Sequence, residues 1–223
     1  MSGDLRLVVF DCDGTLVDSL FAIQHAMERA FEAVGLDAPE PAAVRGIVGL
    51  SVPQAVAALG PGLPPETLAA LDRAFRDSAL AHRASGPEAD GQLYPGTREA
   101  LVRLNTPETL MAVATGKARR GLEHTLDAFA LRPFFIATQT ADDAPSKPHP
   151  GMLENCERMT GITPARTVMV GDTTFDISMA RAHGCTAIGV SWGYHSVDAL
   201  HAAGAHVIID DFADLDSALE AFA

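Results

Sequence analysis

The stretch VVFDCDGTLVDS, residues 8–19, decides how the chain is read. A short apolar run ends abruptly in two carboxylates, Asp11 and Asp13, and Gly14 and Thr15 follow at once. In an open parallel sheet, ligands bind beyond the carboxyl ends of the strands, which is where Asp11 falls. Residues two apart on an extended chain can point to different sides, and glycine permits the sharp exit such a turn needs. The two acids are therefore placed for different tasks.

Outward from this stretch, apolar runs of strand length recur at LVVF (7–10), LMAVAT (110–115), FFIAT (134–138), TVMVG (167–171), TAIGVS (186–191) and HVIID (206–210). Helical patterns or turn residues separate them, and near-continuous apolar strands alternating with helices indicate a parallel sheet covered on both faces. The fold class expected is α/β, a doubly wound parallel-sheet (Rossmann-like) core.

One interval breaks the alternation. From about residue 16 to about residue 92 the pattern is helical only. Leu20, Ile23, Met27, Phe31 and Val34 follow three- and four-residue spacings until Gly35 supplies a stop. Ser51 and Gln54 stand in capping-box spacing, and Leu68, Leu71 and Phe75 form a further stripe. The expected organisation is a core of residues 1–15 and 93–223 with a small helical bundle, 16–92, inserted between them. The loop SGPEADGQLYPG (85–96) has the Gly and Pro content of a boundary.

Other polar positions also follow apolar runs. Thr115 and Gly116 end LMAVAT, Asp172 ends TVMVG with Asp176 one helical turn on, and Lys147 lies in the loop after FFIAT. All of these groups can converge on one crevice with Asp11.

Bulk properties narrow the partners. A formal charge of −13 repels phosphate backbones and anionic lipid surfaces, so neither nucleic acid nor a membrane is expected as a partner. There is no apolar run long enough to span a bilayer, and MSGDLRLVVF lacks the pattern of a signal peptide. Cys12, Cys156 and Cys185 lie far apart without C-x-x-C pairing and read as buried, reduced thiols. A cytoplasmic location is expected.

The ordered set DCDGTLVDS, VATGK, SKPHP and VGDTTFDI resembles the four motifs of the haloacid dehalogenase superfamily. The later segments GVSWGYHS and AGAHVIIDDF are similar to its phosphoglycolate phosphatase-like branch. The resemblance covers nearly the whole chain and is weakest in the helical insertion. It implies Mg²⁺-dependent hydrolysis of a small phosphorylated metabolite, phosphoglycolate being one such substrate.

A carboxylate must reach an anionic phosphomonoester against like-charge repulsion, so the site needs cations. The resemblance gives Asp11 the role of nucleophile and Asp13 that of acid and base. Mg²⁺ would be held by Asp11, the backbone carbonyl of Asp13 and Asp172, since a hard divalent ion prefers oxygen ligands. Lys147 would sit on the transferring phosphoryl oxygens, with Thr115 and the amides of Gly14 and Gly116 as further donors. Asp176 would support the metal through water or hold Lys147.

The insertion lies between the first motif and the second, where the family carries a helical cap that closes over the crevice. Arg45, Ser51, His82 and Arg83 are its polar candidates for reading the leaving group. The basic run GKARRG (116–121) reads as a solvated helix face, although Lys117 and Arg119 lie near enough to Thr115 to touch a substrate tail. His195 reads as a surface residue, and no histidine is given a catalytic role.

Two other activities fit parts of the pattern. A β-phosphoglucomutase-like isomerase shares the chemistry, but GLS (49–51) lacks the arginine expected there by resemblance. A receiver-like signalling module also uses acids, a Thr and a Lys with Mg²⁺. It places its phosphorylated Asp on a later strand, and a base such as Asp13 would shorten the life of its acyl-phosphate.

Overall fold

The structure, a computed structural model, describes residues 5–84 and 91–222. In chain order the first elements are β1 (Arg6–Phe10), β2 (Val17–Asp18), α1 (Leu20–Ala33), α2 (Pro41–Ile47), α3 (Val52–Leu59), α4 (Pro65–Arg83) and β3 (Gln92–Leu93). There follow α5 (Thr97–Leu104), β4 (Thr109–Ala114), α6 (Arg119–Ala128), β5 (Ala137–Gln139), α7 (Gly151–Thr160) and β6 (Thr167–Gly171). The chain closes with α8 (Thr174–His183), β7 (Thr186–Val190), α9 (Val197–Ala202), β8 (Val207–Ile209) and α10 (Leu215–Glu220).

Six strands form one parallel sheet in the order β5-β4-β1-β6-β7-β8. The alternation along each strand shows why these runs are apolar throughout. Val8 and Phe10 join one core cluster with Met111, Val113 and Val170, while Leu7 and Val9 join another with Ala112, Ala114 and Met169. Successive side chains point to opposite faces, so burial of both faces demands an unbroken hydrophobic run.

The run FFIAT does not start a strand at Phe134. Arg132–Phe134 is a 3-10 turn with Pro133 in its first positions, and β5 begins only at Ala137. Proline fixes its own φ and lacks the N–H that a strand ladder needs.

The helices α1 to α4 bury their own cluster, in which Met27, Ala30 and Phe31 of α1 pack with Val44, Ala55, Val56 and Leu71. Helix α1 ends where its stripe ends: Gly35 takes φ +76 and its amide donates to the Glu32 carbonyl, as a left-handed C-terminal stop does. Ser51 is the N-cap of α3, yet its side chain makes no capping bond; its backbone N–H instead donates to Ser146 Oγ at 2.8 Å, in the loop before α7.

The chain enters and leaves this helical layer through an antiparallel ribbon, Val17 opposite Leu93 and Asp18 opposite Gln92. Gly91 has φ +93, and a Cβ there would lie 1.9 Å from the Asp18 carbonyl oxygen, so only glycine fits. Of the expected boundary loop, residues 85–90 lie outside the described residues. Among the described residues no helix is long and apolar enough to cross a membrane.

Candidate active site

Sheet register brings the polar strand ends together. Phe10 is opposite Val113 on one side and Val170 on the other, so Asp11, Thr115 and Asp172 each follow the ends of three neighbouring strands. Asp11 is fully buried, and its backbone N–H donates to the Val170 carbonyl at 2.9 Å.

Lys147 reaches this point from the loop after β5. Its Nζ lies 2.8 Å from Asp11 Oδ1 and 2.6 Å from Asp176 Oδ1, with all three side chains closed to solvent. Asp176 is held in turn by the start of α8: its Oδ2 accepts from the Thr173 amide at 3.0 Å and the Thr173 hydroxyl at 2.6 Å, completing a capping box. Of the two supporting roles the sequence allows Asp176, this geometry displays the hold on Lys147.

Asp172 is buried in the same cluster. Its Oδ1 accepts from Thr15 Oγ1 at 2.8 Å and its Oδ2 from the Tyr194 amide at 2.9 Å. Gly14, at φ +85, leaves the room it needs, for a Cβ there would lie 2.2 Å from Asp172 Oδ2. The Gly14 amide donates within its own turn, to the Val17 carbonyl at 2.8 Å, and so is engaged rather than aimed at a ligand. Gly116 abuts the helical layer, where its Cβ would lie 2.5 Å from the carbonyl oxygens of both Gly49 and Leu50. Thr115 is buried, and its Oγ1 accepts from the Lys117 amide at 3.3 Å.

Asp13 faces a different neighbourhood from Asp11. Its carboxylate pairs with Lys117 Nζ at 2.7 Å and accepts a short hydrogen bond from the Ser19 hydroxyl. Both Asp13 and Lys117 border a cavity of about 310 Å³ that lies under α1 to α4. Lys117 is therefore not part of a solvated helix face, and neither is Arg119, which bonds Asp143 and Thr138. Its place two residues after Thr115 was the sequence signal for Lys117.

The loop after β7 also carries contacts that the sequence pattern does not report. Tyr194 is buried, its hydroxyl accepts from the Ser19 amide at 3.1 Å, and its backbone holds Asp172. His195 is half-buried rather than a surface group: Nδ1 accepts from the Thr174 amide at 3.1 Å, which leaves the proton on Nε2 to donate to the Gly46 carbonyl at 3.3 Å. Arg45 donates to the carbonyls of Tyr194 and Gly193, both at 2.9 Å, instead of entering the cavity.

Three buried carboxylates share one ammonium here, and the titration behaviour follows. Burial pushes the Asp11 carboxyl up to about 7, with Lys147 opposing the rise and Asp176 and Asp13 adding to it. Burial, then the charges of Asp176 and Asp11, raises Asp172 well above the usual carboxylate range. Burial alone would lower Lys147, but Asp11 and Asp176 outweigh it and hold the ammonium protonated above its ordinary range.

That imbalance is what a cation would correct. Asp11, Asp172 and Asp176 each offer an oxygen, these atoms lie within 4.8 Å of one another, and Asp11 Oδ2 is buried with no hydrogen-bond partner. A buried unpaired carboxylate oxygen is costly, and all-oxygen donors suit a hard divalent ion. The donor set fits Mg²⁺.

The sequence pattern of the haloacid dehalogenase-like hydrolases matches residues 8–190. A protein from Dickeya dadantii named "Probable phosphatase IndB" is 36% identical over 216 residues, covering 96% of this chain and 94% of that protein. A "Phosphoglycolate phosphatase" of Pseudomonas putida is 32% identical over 216 residues, covering 92% of this chain and 76% of that protein. The crystal structure of a predicted phosphatase from Clostridium acetobutylicum has the same fold, with a TM-score of 0.86 at 24% identity over 98% of this chain and 100% of that one. The chain belongs to the haloacid dehalogenase-like hydrolases and, among them, to the phosphatases.

Proposed function

We propose that this phosphatase requires Mg²⁺ and hydrolyses small phosphomonoesters through an aspartyl-phosphate on Asp11. The observation that carries the reading is Asp11 Oδ2, buried and unpartnered, on a carboxylate whose other oxygen pairs with Lys147 and which clusters with Asp172 and Asp176. Asp11 and Asp172 would hold Mg²⁺ together with the backbone carbonyl of Asp13. The ion would supply positive charge against the phosphoryl oxygens and so lower the repulsion between two anions.

Asp11 attacks phosphorus, and the bond from phosphorus to the ester oxygen breaks with its electron pair on that oxygen. Asp13 gives its proton to the departing alkoxide. Lys117, 2.7 Å away, stabilises the carboxylate that Asp13 then becomes. In the second half, Asp13 takes a proton from water as the water oxygen bonds to phosphorus and the bond to Asp11 breaks. Lys147 stays protonated throughout and presents its fixed charge to the phosphoryl group, while the Thr115 hydroxyl supplies a further donor. Gly14 serves by clearance for Asp172, while the Gly116 amide is a further donor to the phosphoryl oxygens.

Helices α1 to α4 act in this reading as the cap that screens the site from water, with residues 16–92 as the inserted unit. The relatives' names make phosphoglycolate one candidate substrate. Three buried free cysteines suit a reducing compartment such as the cytoplasm.

The test is phosphate release from a panel of phosphorylated metabolites with Mg²⁺, with chelator, and with Asp11→Asn. Release that needs both Mg²⁺ and Asp11 supports the reading. Release that survives Asp11→Asn at the full rate overturns it.

A further inference from the structure

The cavity beside Asp13 has mostly apolar walls. Ile23 and Met27 of α1, Ile47 at the end of α2, Val52 of α3, and Phe75 and Leu80 of α4 are among the apolar side chains that line it. Among the described residues its lining contains no Asn, Gln, Thr or Tyr. Its one hydroxyl, Ser19, already donates to Asp13. Its titratable groups are Asp13, Arg76, Asp77, His82, Arg83, Lys117 and Arg120; Lys117 is paired with Asp13, Arg76 with Asp72, and Arg83 lies against Gly121.

A substrate rich in hydroxyls needs a partner for each one it buries, since an unpaired polar group carries the full desolvation penalty. Most of this wall is apolar and offers none. A two-carbon acid would fill only part of a cavity of about 310 Å³ and leave the apolar walls against water. A hydrocarbon body of several carbons matches both the chemistry and the size.

We infer that the natural substrate is a phosphomonoester whose leaving alcohol carries an apolar body, aliphatic or aromatic, seated among α1 to α4. This rests on the phosphatase reading and deepens it. Specificity then resides in Ile23, Met27, Phe75 and Leu80, and it separates the chain from a dedicated phosphoglycolate or sugar phosphate enzyme.

The experiment is a homologous series of n-alkyl monophosphates, ethyl to hexyl, assayed with Mg²⁺ beside phosphoglycolate and glucose 6-phosphate. The leaving alkoxide is chemically alike along the series, so a trend reports burial. Each methylene taken from water into the cavity is expected to raise kcat/KM by about fourfold until the space is full. Hexyl phosphate, four methylenes longer, should exceed ethyl phosphate by roughly 10²-fold on that scale, and Ile23→Gln should flatten the slope.

A second measurement needs no variant: inhibition of the wild-type enzyme by n-alkylphosphonates should tighten with chain length in parallel. A flat or falling series, or phosphoglycolate or glucose 6-phosphate surpassing hexyl phosphate, overturns the inference while the phosphatase reading stands. Failure to release phosphate from any ester overturns that reading and this inference together.

Discussion

Lys147 Nζ stands 2.8 Å from Asp11 Oδ1 at the floor of the sheet's carboxyl edge, and neither side chain touches solvent. An ammonium in that position is the only cation among the described residues that pairs with the buried acids Asp11 and Asp176. Removing it strands two carboxylates that water cannot reach. Lys147→Met is expected to lower kcat by about 10²- to 10³-fold, the range for losing one preorganised donor. Breaking a buried pair by deleting one partner costs about 3–5 kcal/mol, which urea unfolding without divalent cation will read. The loss should be smaller in acid, where Asp11 can take a proton. An unchanged unfolding midpoint at neutral pH would show that the pairing is not structural.

The raised Asp11 carboxyl, at about 7 against an ordinary 3.8, gives stability a sign with pH. The folded state binds this proton more tightly than the unfolded chain does. Its contribution is therefore present below the unfolded value and lost as pH rises to about 7. Asp172, raised in the same direction, adds to the trend. The thermal midpoint without divalent cation should fall across this window, and Asp11→Asn should flatten the fall. Added Mg²⁺ should stabilise the protein more at about pH 8 than at about pH 5, because cation and proton compete for the same oxygens. Equal stabilisation at both would sink the assignment of Asp11 as a ligand.

Asp13 borders the leaving-group cavity and not the Lys147 cluster, and that separation predicts a leaving-group dependence. Asp13→Asn should cost about 10²- to 10⁴-fold on an alkyl ester, whose alkoxide needs a proton. On p-nitrophenyl phosphate, whose phenolate leaves unaided, the loss in the first half-reaction should be much smaller. Steady-state and burst kinetics on the two esters check this. Equal losses in the burst rate would deny Asp13 its role as acid.

Much of this was legible in the sequence, for a local reason. Strand ends announce themselves where a continuous apolar run stops at a polar residue, so the pattern puts Asp11, Thr115 and Asp172 at the sheet edge, where the register has them. The gaps concern partners distant in sequence. Lys117 finds Asp13, Arg45 finds the carbonyls of Gly193 and Tyr194, and the Ser51 amide finds Ser146, none of which periodicity reports. The Gly14 amide was expected at a phosphate, but its own turn uses it, and Pro133 delayed a strand that composition alone would have begun three residues earlier.

Arg45 illustrates what such distant contacts can do. Its guanidinium ties α2 to the loop whose Tyr194 amide holds Asp172, so the helical layer and the acidic cluster share one loop. Arg45→Ala is expected to lower kcat/KM by about tenfold and weaken Mg²⁺ binding, as loss of outer-shell support does. Arg45→Lys should restore only part of it, because a point charge lacks the fork that takes two carbonyls. Hydrogen exchange over residues 41–47 should quicken in the alanine variant. Unchanged exchange and kinetics would reduce this contact to a surface detail.

The proposed mechanism requires Asp11 to carry the phosphoryl group. Acid-quenched enzyme from single turnover, reduced with borohydride and mapped by mass spectrometry, tests this most directly. The expected result is conversion of position 11, and no other, to homoserine, appearing before phosphate release is complete. Modification at a different residue, or complete phosphate release with position 11 unmodified at every quench time, would contradict it.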